Sequence, residues 1–169
     1  MKVLVAFLLS LLGCRLAEGR LLSKCELRVE FTDLAVVLDS DLVAKIICYV
    51  EEASGFNTSV VSVSSSGAPR HGDAPALYGV FQLSNLVACS DGVAPSPNIC
   101  SVRCDDFLDG DISDDIDCLL KIYEDFVKNG FWGPHFDHLK QWFEPIFKLC
   151  RNKTYKNYLK ECGPNAQTP

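Results

Sequence analysis

Between Cys104 and Cys118 stand Asp105, Asp106, Asp109, Asp111, Asp114, Asp115 and Asp117, so seven of the 13 intervening residues are Asp. Like charges at such spacing repel, and the repulsion costs free energy unless something neutralises it. A hard cation with oxygen ligands is the natural neutraliser, and in an oxidising, calcium-rich extracellular space that cation is Ca²⁺. The plainer reading is a solvated acidic turn, which is what most charge runs are. It fits poorly, because Phe107, Leu108, Ile112 and Ile116 interleave with the charges and two cysteines pin the ends.

The run is not an EF-hand. With Gly110 at position 6 of such a loop, Phe107 falls at 3 and Ile116 at 12, where ligands are required. A tighter elbow is needed. Ser113 followed by Asp114 and Asp115 reads as an N-cap and an acidic first turn, where carboxylates suit the helix dipole. Ile116, Leu119, Leu120, Tyr123 and Val127 then form one apolar helical stripe, and Lys128-Asn129-Gly130 supplies a stop. The Asp run is therefore a loop entering a helix. Upstream, Leu42, Ile46, Tyr49 and Ala53 give a helical face to the segment that runs into Glu52.

The compartment follows from the start of the chain. Met1-Lys2, the apolar run Val3 to Leu12, and small residues at Ala17 and Gly19 predict a secretory leader over 1–19. This run is too short to span a membrane, and no other stretch approaches the ~20 apolar residues that a spanning helix needs. The remaining 20–169 is expected to form one compact domain. Cleavage removes Cys14 and leaves eight of nine cysteines, an even number that implies a disulfide framework in a secreted, extracellular chain. Eight cysteines allow 105 pairings, and spacing does not choose among them. The formal charge of −6 argues against nucleic acid and against attraction to anionic walls or membranes. Asn57-Thr58-Ser59 and Asn152-Lys153-Thr154 are glycosylation sequons. His135 and His138, with Asp137 between them, resemble a zinc pair but lack a third ligand.

Three further segments carry a family resemblance. Arg20-Leu21-Leu22-Ser23-Lys24-Cys25-Glu26-Leu27 resembles the mature start of the C-type lysozyme and α-lactalbumin family, Ser54-Gly55-Phe56-Asn57-Thr58 its turn after the second helix, and Tyr78-Gly79-Val80-Phe81-Gln82-Leu83 its Tyr-Gly-Ile/Leu-Phe-Gln-Ile strand. The resemblance covers nearly all of 20–162. It implies an α+β, lysozyme-like fold, with a helical lobe from about 20–55 and 104–162, a small β-rich lobe over about 56–103, and a short tail at 163–169. It also implies disulfides Cys25–Cys162, Cys48–Cys150, Cys89–Cys104 and Cys100–Cys118. The Asp segment is similar to the calcium elbow of α-lactalbumin, which implies carboxylate ligands from Asp109, Asp114 and Asp115 and backbone carbonyls from Asp106 and Asp111. Two segments exceed the family pattern: the loop 62–76 and an insertion over about 130–145.

Lysozyme chemistry needs two carboxylates flanking a glycosidic bond, one a protonated acid and the other an ionised partner. In the family the acid directly precedes the Ser-Gly turn, and here that residue is Ala53. The second carboxylate directly precedes the Tyr-Gly of the strand, and here it is Leu77. Glu52 is one residue from the acid's place, a rotation of about 100° on a helix. Asp73 lies in the enlarged loop. Rescue by either would need placement within about 0.5 Å. The Trp residues that stack on sugars just before the third cysteine are replaced by Leu86-Val87-Ala88, and Trp132 and Trp142 belong to the helical lobe. The positions by which α-lactalbumin meets its galactosyltransferase are Glu51, Glu52, Ile146 and Asn157 here, unlike its own. The expectation is a secreted, monomeric, calcium-binding protein without muramidase activity that acts on a protein or glycan partner. The alternative is an active peptidoglycan hydrolase using a displaced carboxylate.

Overall fold

The computed structural model describes residues 18–32, 38–63, 75–129 and 144–163. Most of the expected leader, the loop segment 64–74 with Asp73, the segment 130–143 with Trp132, His135, Asp137, His138 and Trp142, and the tail 164–169 lie outside the described residues.

Helix α1 is Lys24–Glu30. Ser23 opens it with a capping box: its hydroxyl accepts from the Glu26 amide, and the Glu26 carboxylate accepts from the Ser23 amide at 2.7 Å. Helix α2 is Ser40–Ser54, started by the Asp39 carboxylate, which accepts from the amides of Asp41 and Leu42. Gly55 ends it at φ 59°, in the left-handed region that favours glycine. The buried stripe of α2 is Val43, Ala44, Ile47 and Val50, with Tyr49 at its edge, whereas the expected face residues Leu42, Ile46 and Ala53 are only half-buried. The stripe is thus rotated by one residue. Both sets have helical spacing, and only packing against the rest of the core selects the deeper one.

Three short antiparallel strands lie in the order β1 (Val61–Val63), β2 (Ala76–Tyr78), β3 (Leu83–Ser84). Val61 pairs with Tyr78, and Leu77 with Ser84. The segment from Tyr78 to Asn85, expected as one strand, is instead the end of β2, a turn and β3. Gly79 at φ 71° and Gln82 at φ 52° reverse the chain there.

A short 3₁₀ turn, Cys104–Leu108, leads into the long helix α3, Ser113–Asn129. Ser113 is the first helical residue rather than the cap. The Asp111 carboxylate accepts from its amide and hydroxyl, at 3.1 and 2.5 Å. A helical stretch over 144–150 and tight turns over Tyr155–Leu159 and Lys160–Cys162 close the described chain.

The main core gathers α1, α2, α3 and the closing turns around Leu27, Phe31, Ile47, Phe81, Phe107 and Leu159. A second, smaller cluster of Leu77, Leu86, Val87 and Ala94 serves the β-rich side. The division is α+β and lysozyme-like. Four disulfides tie it: Cys25–Cys162 and Cys48–Cys150 join distant helical segments, while Cys89–Cys104 and Cys100–Cys118 bind the elbow's two flanks to the loop before it. No described helix is long and apolar enough to cross a membrane.

Candidate metal centre

The elbow spans the few residues between the 3₁₀ turn and α3. Phe107 and Ile112, buried on either side of it, anchor the loop to the core, so the apolar residues interleaved with the Asp run serve as its footings. The charged side chains then divide by what they touch.

Asp106 turns back on its own turn, its carboxylate accepting from the Arg103 amide at 3.0 Å. Asp111 is likewise spent locally on Ser113. These bonds hold its carboxyl below the usual range, with help from the nearby Arg20 guanidinium. The Arg20 side chain also donates to the Gly110 carbonyl at 2.9 Å. Asp109 accepts from the Asp111 amide at 2.8 Å. Asp105 pairs in solvent with Arg103 at 3.0 Å, and Asp117 is exposed.

Asp114 and Asp115 lie on the first turn of α3 and face a different environment. Asp114 is half-buried, and burial, with the charges of Asp109 and Asp111, raises its pKa. Asp115 is 1% exposed, and its Oδ1 meets no hydrogen-bond donor. Burial pushes its pKa up to about 8, and the charges of Asp114, Asp109 and Asp111 add to the rise. Gly79 forms the wall beside it. A Cβ at Gly79 would fall 2.9 Å from Asp115 Oδ1 and 2.3 Å from the Phe107 carbonyl oxygen. Close approach therefore requires glycine there, as does the positive φ.

A buried carboxylate with one oxygen unpartnered among like charges is costly in this form. Among the described residues, no group of three or more His, Cys, Asp or Glu side chains is arranged to hold a metal ion. The elbow carboxylates thus repel one another across the loop without converging on one point.

The positions expected to be catalytic in the family lie elsewhere. Ala53 is half-buried on the last turn of α2. Leu77 is buried in β2, where Leu86, Val87, Ala94 and Ile99 pack with it. Residues that stand where the resemblance puts sugar-stacking Trp are therefore core. Glu51 accepts a hydrogen bond from the Tyr158 hydroxyl. Burial pushes the Tyr158 pKa up, and that bond and the charges of Glu51, Glu52 and Glu161 push it further. Glu52 is exposed, and its charge acts on Tyr158, on the helical side. Lys24 and Lys153 stand 4.0 and 4.9 Å from the Tyr158 ring centre.

Sequence reasoning missed two of these contacts, Gly79 against Asp115 and Glu51 with Tyr158. Each joins residues far apart in the chain. The Tyr-Gly motif was the available signal for the first; nothing local announces the second.

Residues 20–150 match the model of the C-type lysozyme/α-lactalbumin family. The chain belongs to this family. It is 33% identical to α-lactalbumin of Bos taurus over 130 residues, 74% of this chain and 84% of that protein. It is 32% identical to sperm acrosome membrane-associated protein 3 of Mus musculus over 127 residues, 72% of this chain but only 53% of that relative, so the match spans about half the relative's length. Among solved structures, lysozyme from Equus asinus superposes with a TM-score of 0.63 at 26% identity, covering 85% of this chain and 99% of that one. The family thus contains both enzymes and α-lactalbumins, and the residues must decide between them.

Proposed function

We propose that this is a secreted, calcium-binding member of the family that lacks muramidase activity and acts by binding a protein or glycan partner. The observation that carries the reading is Asp115, a carboxylate 1% exposed with an oxygen that no donor satisfies, set among Asp109, Asp111 and Asp114. A hard cation supplies what this site lacks, positive charge and an electron-pair acceptor for several oxygens at once. Asp109, Asp114 and Asp115 would hold it by their carboxylates, and Asp106 and Asp111 by peptide carbonyls. The Asp106 and Asp111 carboxylates are occupied by local bonds, as Asp109 is by the Asp111 amide, so the division rests on the resemblance to the α-lactalbumin elbow. The ion's contribution is structural: it offsets the repulsion that burial of Asp115 imposes and fastens the 3₁₀ turn to α3.

Loss of catalysis rests on Ala53 and Leu77. Neither side chain can donate a proton to a leaving oxygen or stabilise a developing cation, and Glu52, one residue earlier on α2, is exposed. The four disulfides support passage through an oxidising compartment and, with the leader over 1–19, secretion of 20–169 as one domain. Nothing in the exposed Glu51-Glu52 pair resembles the apolar and His contacts with which α-lactalbumin meets its transferase. The partner is therefore expected to be a different one.

A wall-lysis assay on the secreted protein, with and without calcium, tests the reading. No lysis above background is expected between about pH 4 and 8, since acid–base and electrostatic terms are each usually worth about 10² or more in rate. Lysis that Glu52→Gln or Asp73→Asn abolishes would establish the hydrolase with a displaced carboxylate instead.

A further inference from the structure

The two sequons occupy very different places in the fold. Asn57 is half-buried and held at its side-chain carbonyl and its backbone. Its side-chain carbonyl accepts from the Ser59 amide and hydroxyl at 2.9 and 2.8 Å, and its backbone bridges to Leu21. Thr58, the middle residue, is fully buried, with its hydroxyl accepting from the Arg20 amide at 2.8 Å. A bulky group at Asn57 would stand in the seam between the mature start and the end of α2.

Asn152 is the opposite case. It is exposed on the turn that follows Cys150, and its side chain enters no hydrogen bond among the described residues. Its peptide carbonyl is instead gripped by the Asn157 side chain at 3.0 Å, which fixes the backbone while leaving the Asn152 amide group outside. The sequon's Thr154 accepts from the Asn157 amide at 3.3 Å, opening the Tyr155–Leu159 turn. A polar, bulky modification is tolerated where the acceptor amide faces water and the neighbouring backbone is already held.

We propose that Asn152 carries an N-linked glycan and that Asn57 does not. Since Asn157 grips Asn152, and the next residue, Lys153, lies over the Tyr158 ring that bonds Glu51, the glycan marks the helical face bearing Glu51, Tyr158 and Asn157. Partners that read protein surface are thereby steered from that face.

This inference rests on the secretory reading, and the test separates the two. The full chain is expressed in cultured mammalian cells, and protein from the medium is treated with peptide-N-glycosidase. One step of increased mobility is expected, with deamidation of Asn152 to Asp found by peptide mass mapping of the unmutated protein. Asn152→Gln should abolish the step, and Asn57→Gln should leave it. A secreted protein without the step, or a step that survives Asn152→Gln, overturns the proposal. Failure of the chain to reach the medium, with its leader intact, would instead overturn the secretory reading. Peptide mapping needs no variant, so misfolding of Asn152→Gln would not obscure the result.

Discussion

The Asp elbow and the wall around Leu77 differ sharply in what they bury. At the elbow a carboxylate is buried to 1% exposure near three others, and its Oδ1 meets no hydrogen-bond donor. At the wall, the place of a carboxylate is taken by Leu77, which joins Leu86, Val87 and Ala94 in a dry cluster. Each solution is self-consistent. The wall is satisfied by packing, whereas the elbow keeps an arrangement that is costly by itself and that the proposed cation would offset. Asp115 differs from Leu77 in that its burial carries an electrostatic cost, which the proposed ion would relieve.

The largest expected effects in the elbow concern Asp115 and pH. In calcium-free protein its folded pKa of about 8 lies above the ordinary unfolded value, so the folded state holds the extra proton between the two. Stability should therefore fall as pH rises from about 4 to about 8, by up to about 1.4 kcal/mol per pH unit. Asp115→Asn, of similar shape but uncharged, should flatten that slope in thermal melts with EDTA and abolish any response to calcium. A slope that persists in the variant would mean that other groups carry it.

Gly79 links the two regions, since it lies just beyond β2 and against the elbow. Gly79→Ala should cost about 1–3 kcal/mol from strain at positive φ alone. Its methyl group would also meet the Phe107 carbonyl oxygen at 2.3 Å and Asp115 Oδ1 at 2.9 Å. Gly92→Ala provides the contrast, because Gly92 has φ +77° but open space around it. Urea unfolding should show the Gly79 variant as the more damaged, with calcium binding weakened only there. Equal losses would remove Gly79 from the elbow's wall.

The smallest effect is expected from Asp105→Ala, which removes an ion pair whose two side chains are 76% and 67% exposed. Such pairs are worth about 0–1 kcal/mol, and calcium binding should be unchanged.

Much of this contrast is legible in the chain, and the illegible part has a physical pattern. The elbow announces itself by seven Asp residues interleaved with apolar footings, and the vacated cleft by Ala53 and Leu77 beside intact Ser-Gly and Tyr-Gly motifs. The start of α3 read to within one residue, since Ser113 is its first residue rather than its cap, because helix starts are mostly local. The buried stripe of α2 read one residue off because Leu42-Ile46 and Val43-Ile47 have the same period, and tertiary packing alone ranks them. The segment from Tyr78 to Asn85 read as one strand through its resemblance to the family motif, which does not convey the positive φ values of Gly79 and Gln82. The approach of Gly79 to Asp115 is hinted at only by the Tyr-Gly motif, and the bond from Tyr158 to Glu51 has no local signature at all, both being contacts between distant residues.

Thermal unfolding with calcium and with EDTA, at neutral pH, tests the central claim most directly. A ligand present at a thousandfold its Kd adds about 4 kcal/mol to the native state. At about 2–4 °C per kcal/mol for a domain of this size, the midpoint should fall by roughly 10 °C in the chelator. Asp114→Ala should melt at the chelator's midpoint even in calcium, and Asp105→Ala should not. Coincident curves for the unmutated protein in calcium and in EDTA would contradict the account, leaving the elbow an acidic turn.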